Sequence, residues 1–467
     1  MLSEMAATSG RYVFATSRIA LFEERVRDLR QQAEHYQTNP TIRVLHHQSS
    51  DLSINASVVS EIEDAPRIYK DQEHIVLFIT HEGMMAADLD GFVGWHIYID
   101  ESPAAVSSAA FKVPATATYL DAAYDLEPSS KKGWFKVVPK PSAPDKSAII
   151  NDEFLSGLAT FHKRARSSQG VFVNVSSWTN VIGSHKPLQW WSAWTPAELG
   201  AFASVTIAGS GYRHSIGYKA TQTWCPDQVD FVFEEVKSPA RARAKVRVHF
   251  LARHRGSTTF WKGAGRACLV KAARYLATIP NIGYWATNTD FELSFEAAGL
   301  SGERVSPRQE GTNTLIHHTC CALIYSSKAV PSDGPILEVF GLKKSDIERA
   351  REVEDIVQFV LRGALRRPDF DGTYEVYLYE EHQANMLKTY LEQEGIADVE
   401  LVAVDEAGIL DVQRPKSGRP RIQLDESSKA ERVERRRESD KRRKRRERAA
   451  EKQRRQKNGT YRGRGRP

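Results

Sequence analysis

Apolar residues along positions 11–404 form two patterns, short runs bounded by polar residues and longer amphipathic stretches. Because buried strands in parallel sheets are short apolar runs, the first half of the chain predicts strands at Tyr12–Ala15, Ile75–Thr80, Trp95–Asp100, Gly170–Val175 and Val205–Ala208. The spacing of apolar residues from Ile19 to His35 predicts a charged amphipathic helix. The Pro, Ser and Lys residues of Pro128–Lys146 predict a surface loop. This alternation of strands and helices is typical of an α/β fold.

The second half of the chain repeats the same alternation. Its apolar runs predict strands at Phe231–Val236, Val246–Leu251, Tyr284–Ala286, Tyr374–Tyr379 and Val399–Val404. Helical spacing predicts helices at Gly265–Ala277 and Gln383–Glu394. We therefore expect a second α/β unit.

The sharpest chemical signal is a pair of carboxylates at the end of a predicted strand. The apolar run Ile97–Ile99 is followed directly by Asp100 and Glu101. Open α/β sheets bind ligands at the carboxyl ends of their strands, where two acidic groups can serve a metal ion and a water. By itself, an Asp-Glu pair after a strand is more often a solvated turn.

Further short motifs surround this pair in a fixed order. Upstream, Tyr12–Leu21 contains Thr16 and Arg18, and Leu77–Met84 contains Thr80. Downstream lie Val205–Tyr212 with Ser210, Tyr284–Asn288, Ser306–Asn313 with Gly311, Thr312 and Asn313, and Gln358–Pro368.

Taken in this order, the motifs resemble those of superfamily 2 nucleic-acid helicases of the DEAD/DEAH-like, phage or plasmid type. The resemblance covers roughly residues 11–405. It implies an α/β fold of two tandem RecA-like motor domains, residues 1–225 and 226–410, the first incomplete at its N-terminus. A basic tail, residues 411–467, would follow and be largely disordered or helical.

The resemblance also implies a role for each matching residue. Asp100 would hold Mg²⁺ through water, and Glu101 would polarise the attacking water. Contacts to nucleic acid are implied for Thr16, Arg18, Thr80, Gly311, Thr312 and Asn313, and motor coupling for Ser210. The implied cofactors are ATP and Mg²⁺.

The final motif contains Gln358, Arg362 and Arg366, and its family counterparts supply arginine fingers to the γ-phosphate. One continuous helix would place both arginines on one face, because residues four apart are neighbours on a helix. Guanidinium groups suit contact with a transferring phosphoryl group. Because the two arginines are four residues apart, it stays open whether Arg366 or Arg367 is the second finger. The alternative to the arginine-finger interpretation is that this segment is a salt-bridged surface helix.

One element of the family pattern is missing. These helicases hold the β- and γ-phosphates with a G-x-x-x-x-G-K-[ST] loop. The residues before Tyr12 contain no such loop, and Gly256–Gly265 lacks G-K-[ST] and is more typical of a turn. Two explanations stay open. We favour a shortened copy, because Asp100, Glu101 and the arginines are retained; the other is a motor that has lost hydrolysis and still binds nucleic acid.

Charge is distributed unevenly along the 467 residues. The net charge of the whole chain is +6. The residues from Arg414 onward contain 23 Lys+Arg and 8 Asp+Glu, whereas the residues before Arg414 contain 42 Lys+Arg and 51 Asp+Glu. This asymmetry indicates a tail that binds phosphate or another anionic surface. The Gly-Arg-Pro sequences at Arg419 and Arg466 resemble AT-hooks, whose Arg enters the minor groove of DNA. A solubilising or RNA-binding basic tail is the alternative.

Composition narrows the class of protein further. Hydrophobic residues make up 41% of the chain, enough for real cores. No apolar run approaches the ~20 residues of a membrane span, and Met1–Gly10 has no signal-peptide pattern. The cysteines, at 225, 268, 320 and 321, form no C-x-x-C pair, so we expect buried thiols and a cytoplasmic location.

The tryptophans at 178, 190, 191 and 194 fit either base stacking or, more often, packing between layers.

Two hypotheses follow. The first is an ATP-dependent helicase or translocase, expected on DNA, whose hydrolysis is compromised or depends on the missing phosphate loop. Its partners would be nucleic acid and replication or mobile-element proteins, with no membrane. The second is a non-catalytic DNA-binding or scaffold protein derived from a helicase.

Overall fold

The computed structural model describes residues 1–46, 58–112, 117–144, 148–149, 152, 155–167, 169–179, 187–209, 211–234, 240–308 and 314–414, with residues 434, 438, 440, 441 and 444. The chain divides into two compact units, Met1–Arg414 and Pro415–Pro467. The described residues of the second unit have helical backbone. Among the described residues, no helix is both long enough and apolar enough to cross a bilayer.

The strands of the first unit are β1 (Arg11–Thr16), β2 (Thr41–Leu45), β3 (Ile75–Thr80), β4 (His96–Asp100), β5 (Val106–Phe111), β6 (Tyr124–Pro128), β7 (Trp134–Pro139), β8 (Val171–Asn174), β9 (Leu188–Ala193), β10 (Ser204–Ala208), β11 (Ala244–Ala252), β12 (Tyr284–Thr287), β13 (Glu303–Arg304), β14 (Cys320–Ile324), β15 (Thr373–Glu380) and β16 (Ala397–Ala403).

The α-helices are α1 (Leu2–Ala7), α2 (Phe22–Tyr36), α3 (Val58–Ile68), α4 (His81–Ala86), α5 (Ala117–Ala123), α6 (Ala159–Ala165), α7 (Val175–Thr179), α8 (Ile216–Trp224), α9 (Thr258–Lys262), α10 (Arg266–Leu276), α11 (Glu292–Ala298), α12 (Gly334–Val339), α13 (Lys344–Glu348), α14 (Glu354–Val360) and α15 (Glu381–Gln393). Short 3-10 turns lie at Ile19–Leu21, Ser156–Leu158, Pro196–Leu199, Tyr212–His214, Thr289–Phe291, Pro331–Asp333 and Ala364–Arg366, and a π-helical turn at Arg349–Val353.

The first parallel sheet has the strand order β10-β4-β1-β3-β2. Its inner strands are apolar on both faces, and Ile75–Ile79 of β3 is fully buried, as expected for a parallel sheet covered on both sides. Since all pairs are parallel, the carboxyl ends at Thr16, Thr80 and Asp100 lie along one edge. The strands predicted here are confirmed.

Helices cover both faces of this sheet. On one face Phe22 of α2 packs in the same core as Phe14 and Phe78 of the strands. On the other, Ile62 of α3 and Met84 of α4 lie in the core of β1, β3 and β4. The helix predicted over Ile19–His35 is present as the 3-10 turn followed by α2.

An antiparallel sheet, ordered β5-β9-β8-β7-β6, is inserted between β4 and β10. The surface loop predicted over Pro128–Lys146 is therefore wrong, because β7 lies within it. Trp134 and Val137 of β7 are buried, and Gly133, at φ 84°, permits the turn from β6. The predicted strand at Gly170–Val175 exists as β8, but in this antiparallel sheet.

The second parallel sheet has the order β13-β12-β14-β15-β11-β16. It confirms the strands predicted from residue 246 onward and the helices α10 and α15. The strand predicted at Phe231–Val236 is wrong for its described part, residues 231–234, which lie in no strand. Phe231 packs against Tyr218 of α8 instead, with ring centroids 5.0 Å apart.

The α/β class with two tandem parallel sheets is thus confirmed, while the boundaries after residues 225 and 410 remain predictions.

The tryptophans belong to the packed core. Trp191 is fully buried, stacks on Phe172 at 4.3 Å and meets the edge of Phe340, which follows α12. Trp178, Trp190 and Trp194 are also buried, so packing and not base stacking accounts for them. The four cysteines are free and buried, as predicted.

Candidate active site

The two carboxylates lie where the strand pattern places them. Strand β4 ends at Asp100, and Glu101 follows with φ 70°, a left-handed conformation that is uncommon outside glycine. The Glu101 N–H donates to the carbonyl of Ala208 at 2.7 Å, which fixes this turn against the end of β10. Both side chains keep about a fifth to a quarter of their surface exposed, 21% for Asp100 and 24% for Glu101.

Asp100 contacts an arginine that the motifs did not indicate. Nη2 of Arg25, on α2, lies 3.4 Å from Oδ2 of Asp100. The helix α2 begins shortly after the carboxyl end of β1, so its second turn passes beside the neighbouring end of β4. The sequence signal, an Arg one turn into a helix after a strand, is too common to have selected it.

Glu101 contacts the final motif of the chain. Nη2 of Arg362 lies 3.4 Å from Oε1 of Glu101 and 2.9 Å from Oε1 of Gln358, to which it donates. Gln358 in turn donates to Oε1 of Glu354 at 3.0 Å. Residues 354, 358 and 362 therefore form a ladder of polar contacts that ends at the carboxylate pair.

The backbone of the final motif differs from the prediction. Helix α14 ends at Val360, and Gly363 is extended before a 3-10 turn that contains Arg366. The prediction of one helix with Arg362 and Arg366 on one face is wrong. The chain turns at Gly363 because it packs against Tyr374, whose hydroxyl would lie 2.1 Å from a Cβ at that position.

Arg366 nonetheless belongs to the same charged neighbourhood. Burial lowers the pKa of its guanidinium, and the charge of Arg25 lowers that pKa further, while Glu24, Glu101 and Asp100 oppose the change. Arg367 instead lies over the ring of Phe370, 5.5 Å from its centroid. The charges of both carboxylates thus act on Arg366, while the choice between Arg366 and Arg367 as the second finger stays a prediction.

The remaining described motif residues lie along the same sheet edge. Thr16 is 1% exposed, and its hydroxyl has no hydrogen-bond partner among the described residues. Thr80 caps α4 by accepting from the N–H of Gly83 at 3.0 Å, so its hydroxyl has a structural role. Arg18 donates through Nη2 to the carbonyl of Arg308, which precedes the predicted nucleic-acid loop.

Several predicted residues lie outside the described part of the chain: Ser210, Gly311, Thr312, Asn313, Arg419 and Arg466. Beside Ser210, Gly211 lies against α14, since a Cβ there would come within 2.3 Å of Oε2 of Glu354. The loop after β10 thus reaches the start of the ladder that ends at Arg362.

The glycine-rich segment near residue 260 forms a turn, as its composition indicated. The N–H groups of Gly263 and Gly265 both donate to the carbonyl of Phe260, so this backbone closes on itself between α9 and α10. Within the described residues we find no glycine loop at the carboxyl edge of the first sheet that could cradle phosphates.

A second charged cluster, which no sequence motif indicated, lies at the carboxyl edge of the second parallel sheet. Lys328 Nζ lies 2.9 Å from Glu380 and 3.1 Å from Glu352, and both carboxylates are buried. Arg255 also pairs with Glu380, at 2.8 Å. Burial raises the pKa of the Glu380 carboxyl, against the effect of Lys328. With Glu348, these carboxylates are close enough to hold a metal ion, but Arg255 and Lys328 already pair with all three.

The residues around Asp100 fit a hard divalent cation and a phosphate chain. Partly exposed carboxylate oxygens are the ligands that Mg²⁺ prefers, and Arg362 and Arg366 supply guanidinium donors for phosphate. Asp100 would have to exchange Arg25 for the cation, because the two are paired in this structure.

No family model matches the sequence, and no curated protein matches it. Among solved structures, the fold is similar to XPD in its apo form, at 9% identity and TM-score 0.37, covering 86% of this chain and 99% of that one. It is also similar to Xpd4 of S. tokodaii, at 9% identity and TM-score 0.40, covering 84% of this chain and 90% of that one. A third similar structure is Dbp5 of S. cerevisiae bound to RNA and ADP BeF3, at 8% identity and TM-score 0.33, covering 85% of this chain and 78% of that one.

All three TM-scores lie below 0.5, so these likenesses carry no argument about the family or the activity of this chain.

Proposed function

We propose that the chain is an ATP-dependent motor of the helicase or translocase type that acts on nucleic acid. The observation that supports this most strongly is the contact of Arg362 with Glu101, two residues that are 261 positions apart and lie beside different parallel sheets. Composite sites of this kind let a nucleotide link two domains.

Each residue of the site has a role in this proposal. When bound, Mg²⁺ would neutralise charge on the phosphates, and Asp100 would hold it through water. Glu101 would accept a hydrogen bond from the attacking water and orient it. Arg362 and Arg366 would stabilise the charge that develops on the transferring phosphoryl group. Gln358 is a positioning residue, because it holds Nη2 of Arg362 toward Glu101.

The nucleic-acid strand would lie along the edge that carries Thr16 and Arg18. Arg18 donates to the backbone of Arg308, which precedes Gly311, Thr312 and Asn313 in the sequence, and these residues would also contact the strand. We propose DNA as the substrate, because the basic tail carries AT-hook-like sequences at Arg419 and Arg466. The proposal includes a cytoplasmic location and partners in replication or mobile-element transfer.

Substituting Arg362 by Lys tests the catalytic assignment. A lysine keeps the positive charge, but it cannot reproduce the planar fork that reaches Gln358 and Glu101. We expect DNA-stimulated ATP turnover to fall by about 1,000-fold or more, the lower end of the range for arginine fingers. Arg367→Lys is the matched control and should retain turnover within about twofold. Equal turnover in both variants would contradict the assignment.

A second candidate function, a non-catalytic DNA-binding protein, is favoured by one observation: Arg25 pairs with the carboxylate that would hold the metal. This candidate places DNA affinity in the tail. Deleting Pro415–Pro467, which is a separate compact unit, should then abolish most DNA binding and remove its steep salt dependence. Tight DNA binding by the remaining 1–414 chain would count against it.

A further inference from the structure

Helix α2 brings an arginine to the carboxylate pair from the side of the first parallel sheet. Arg25 lies 3.4 Å from Asp100, whereas Arg27 and Arg30 of the same helix are exposed. Arg25 keeps 21% of its side-chain surface, so it borders solvent at the site.

The contacts of Arg25 are several and long. Besides Asp100, its Nη1 atom lies 3.6 Å from Asp28 and 3.7 Å from Glu24. Well-formed N–H···O bonds are shorter, near 2.9 Å, and strong arginine–carboxylate pairs are bidentate. The Arg25 guanidinium thus makes long, single contacts with these three carboxylates. Moving it to a better hydrogen-bond acceptor therefore costs little free energy.

Another guanidinium group reaches the carboxylate pair from the second half of the chain. Nη2 of Arg362 lies 3.4 Å from Glu101, which follows Asp100 directly in the sequence. Arg25 and Arg362 therefore approach the carboxylate pair from separate parts of the chain. A phosphate chain beside the carboxylates would accept charge-assisted hydrogen bonds from both guanidinium groups.

We propose that Arg25 is a nucleotide-binding residue that contacts the phosphates of a nucleoside triphosphate. On nucleotide binding its guanidinium moves from Asp100 to phosphate oxygens, which leaves Asp100 free to face a divalent cation. This inference rests on the proposed function, because it concerns the same site.

The test measures affinity for a fluorescent, non-hydrolysable ATP analogue with Mg²⁺, using the full chain. Arg25→Ala should weaken binding by about tenfold or more, the effect of losing one charge-assisted hydrogen bond. Arg27→Ala, which removes an exposed arginine from the same helix, should bind within about twofold of wild type. Arg25→Lys should bind the analogue more tightly than Arg25→Ala and less tightly than wild type. If thermal unfolding shows that Arg25→Ala is not folded, the Arg25→Lys variant is compared with wild type in its place.

The outcomes separate this inference from the proposed function. If wild type binds the analogue and Arg25→Ala binds as tightly as Arg27→Ala, the role of Arg25 is overturned and the motor proposal stands. If wild type shows no binding at millimolar analogue, both are overturned. Weakening confined to the Arg25 variants, with the lysine intermediate, is the expected result.

Discussion

Gly363 shows how one residue sets the geometry of the candidate site. Helix α14 ends at Val360, and the extended Gly363 separates Arg362 from the 3-10 turn that contains Arg366, so the two arginines lie on separate short segments. The turn requires glycine, because a Cβ would lie 2.1 Å from the hydroxyl of Tyr374, itself buried.

We therefore predict that Gly363→Ala destabilises the protein by about 1–3 kcal/mol, the usual cost of forcing an extra methyl group into a packed core. Chemical denaturation followed by tryptophan fluorescence measures this change. Gly157→Ala is the control, since nothing lies within 4 Å of a Cβ there, and it should leave the midpoint unchanged. A Gly363→Ala variant as stable as this control would show that the turn does not depend on glycine.

At this scale the sequence indicated part of the site. Asp100 and Glu101 follow an apolar strand, and Arg362 lies in an ordered motif, so motif order alone could pair them. Arg25 could not be found, since its position depends on the direction in which α2 leaves β1. The contact of Arg367 with the ring of Phe370 also needed the structure, while the choice between Arg366 and Arg367 stays a prediction.

At the scale of elements, the buried ion network at the carboxyl edge of the second sheet holds several segments together. Lys328 follows β14, Glu380 ends β15, and Glu352 lies on the π-helical turn before α14. Glu352 also accepts from the N–H of Ser327 at 2.7 Å. The network therefore fixes the start of the helix that carries Gln358.

Lys328→Met should cost about 3–5 kcal/mol of unfolding free energy, because it leaves two buried carboxylates with one partner fewer. Lys262→Met is the control. Lys262 pairs with Asp290, but both are more than half exposed, and such surface pairs contribute about 0–1 kcal/mol. Urea titrations of the two variants compare them directly. Similar losses in both would mean that the buried network contributes no more than a surface pair.

The strand that is apolar on both faces was predicted well, because β3 is an apolar run with clear ends. The inserted antiparallel sheet was not predicted as a unit. Its strands are half-buried, with polar residues such as Lys136 between buried ones, and Pro128 and Pro139 at strand ends resemble loop signals. Phe231 and Phe233 have the alternation of a strand, yet their rings pack on Tyr218.

At the scale of the whole molecule, the 1–414 unit contains two parallel sheets and an inserted antiparallel sheet. The contact of Arg362 with Glu101 joins residues 261 positions apart, which a local pattern cannot show. Hydrolysis at a site shared in this way would couple chemistry to movement of the parts that supply Glu101 and Arg362.

The most direct test of this account is ATP turnover by the full chain, with and without single-stranded DNA, beside the Glu101→Gln variant. Glutamine keeps the shape of Glu101 but cannot act as a carboxylate toward the attacking water. We predict DNA-stimulated turnover in wild type that the variant loses by about 100-fold, while both bind DNA equally. Turnover that is absent from wild type, or unchanged in Glu101→Gln, would contradict the claim that this site hydrolyses ATP.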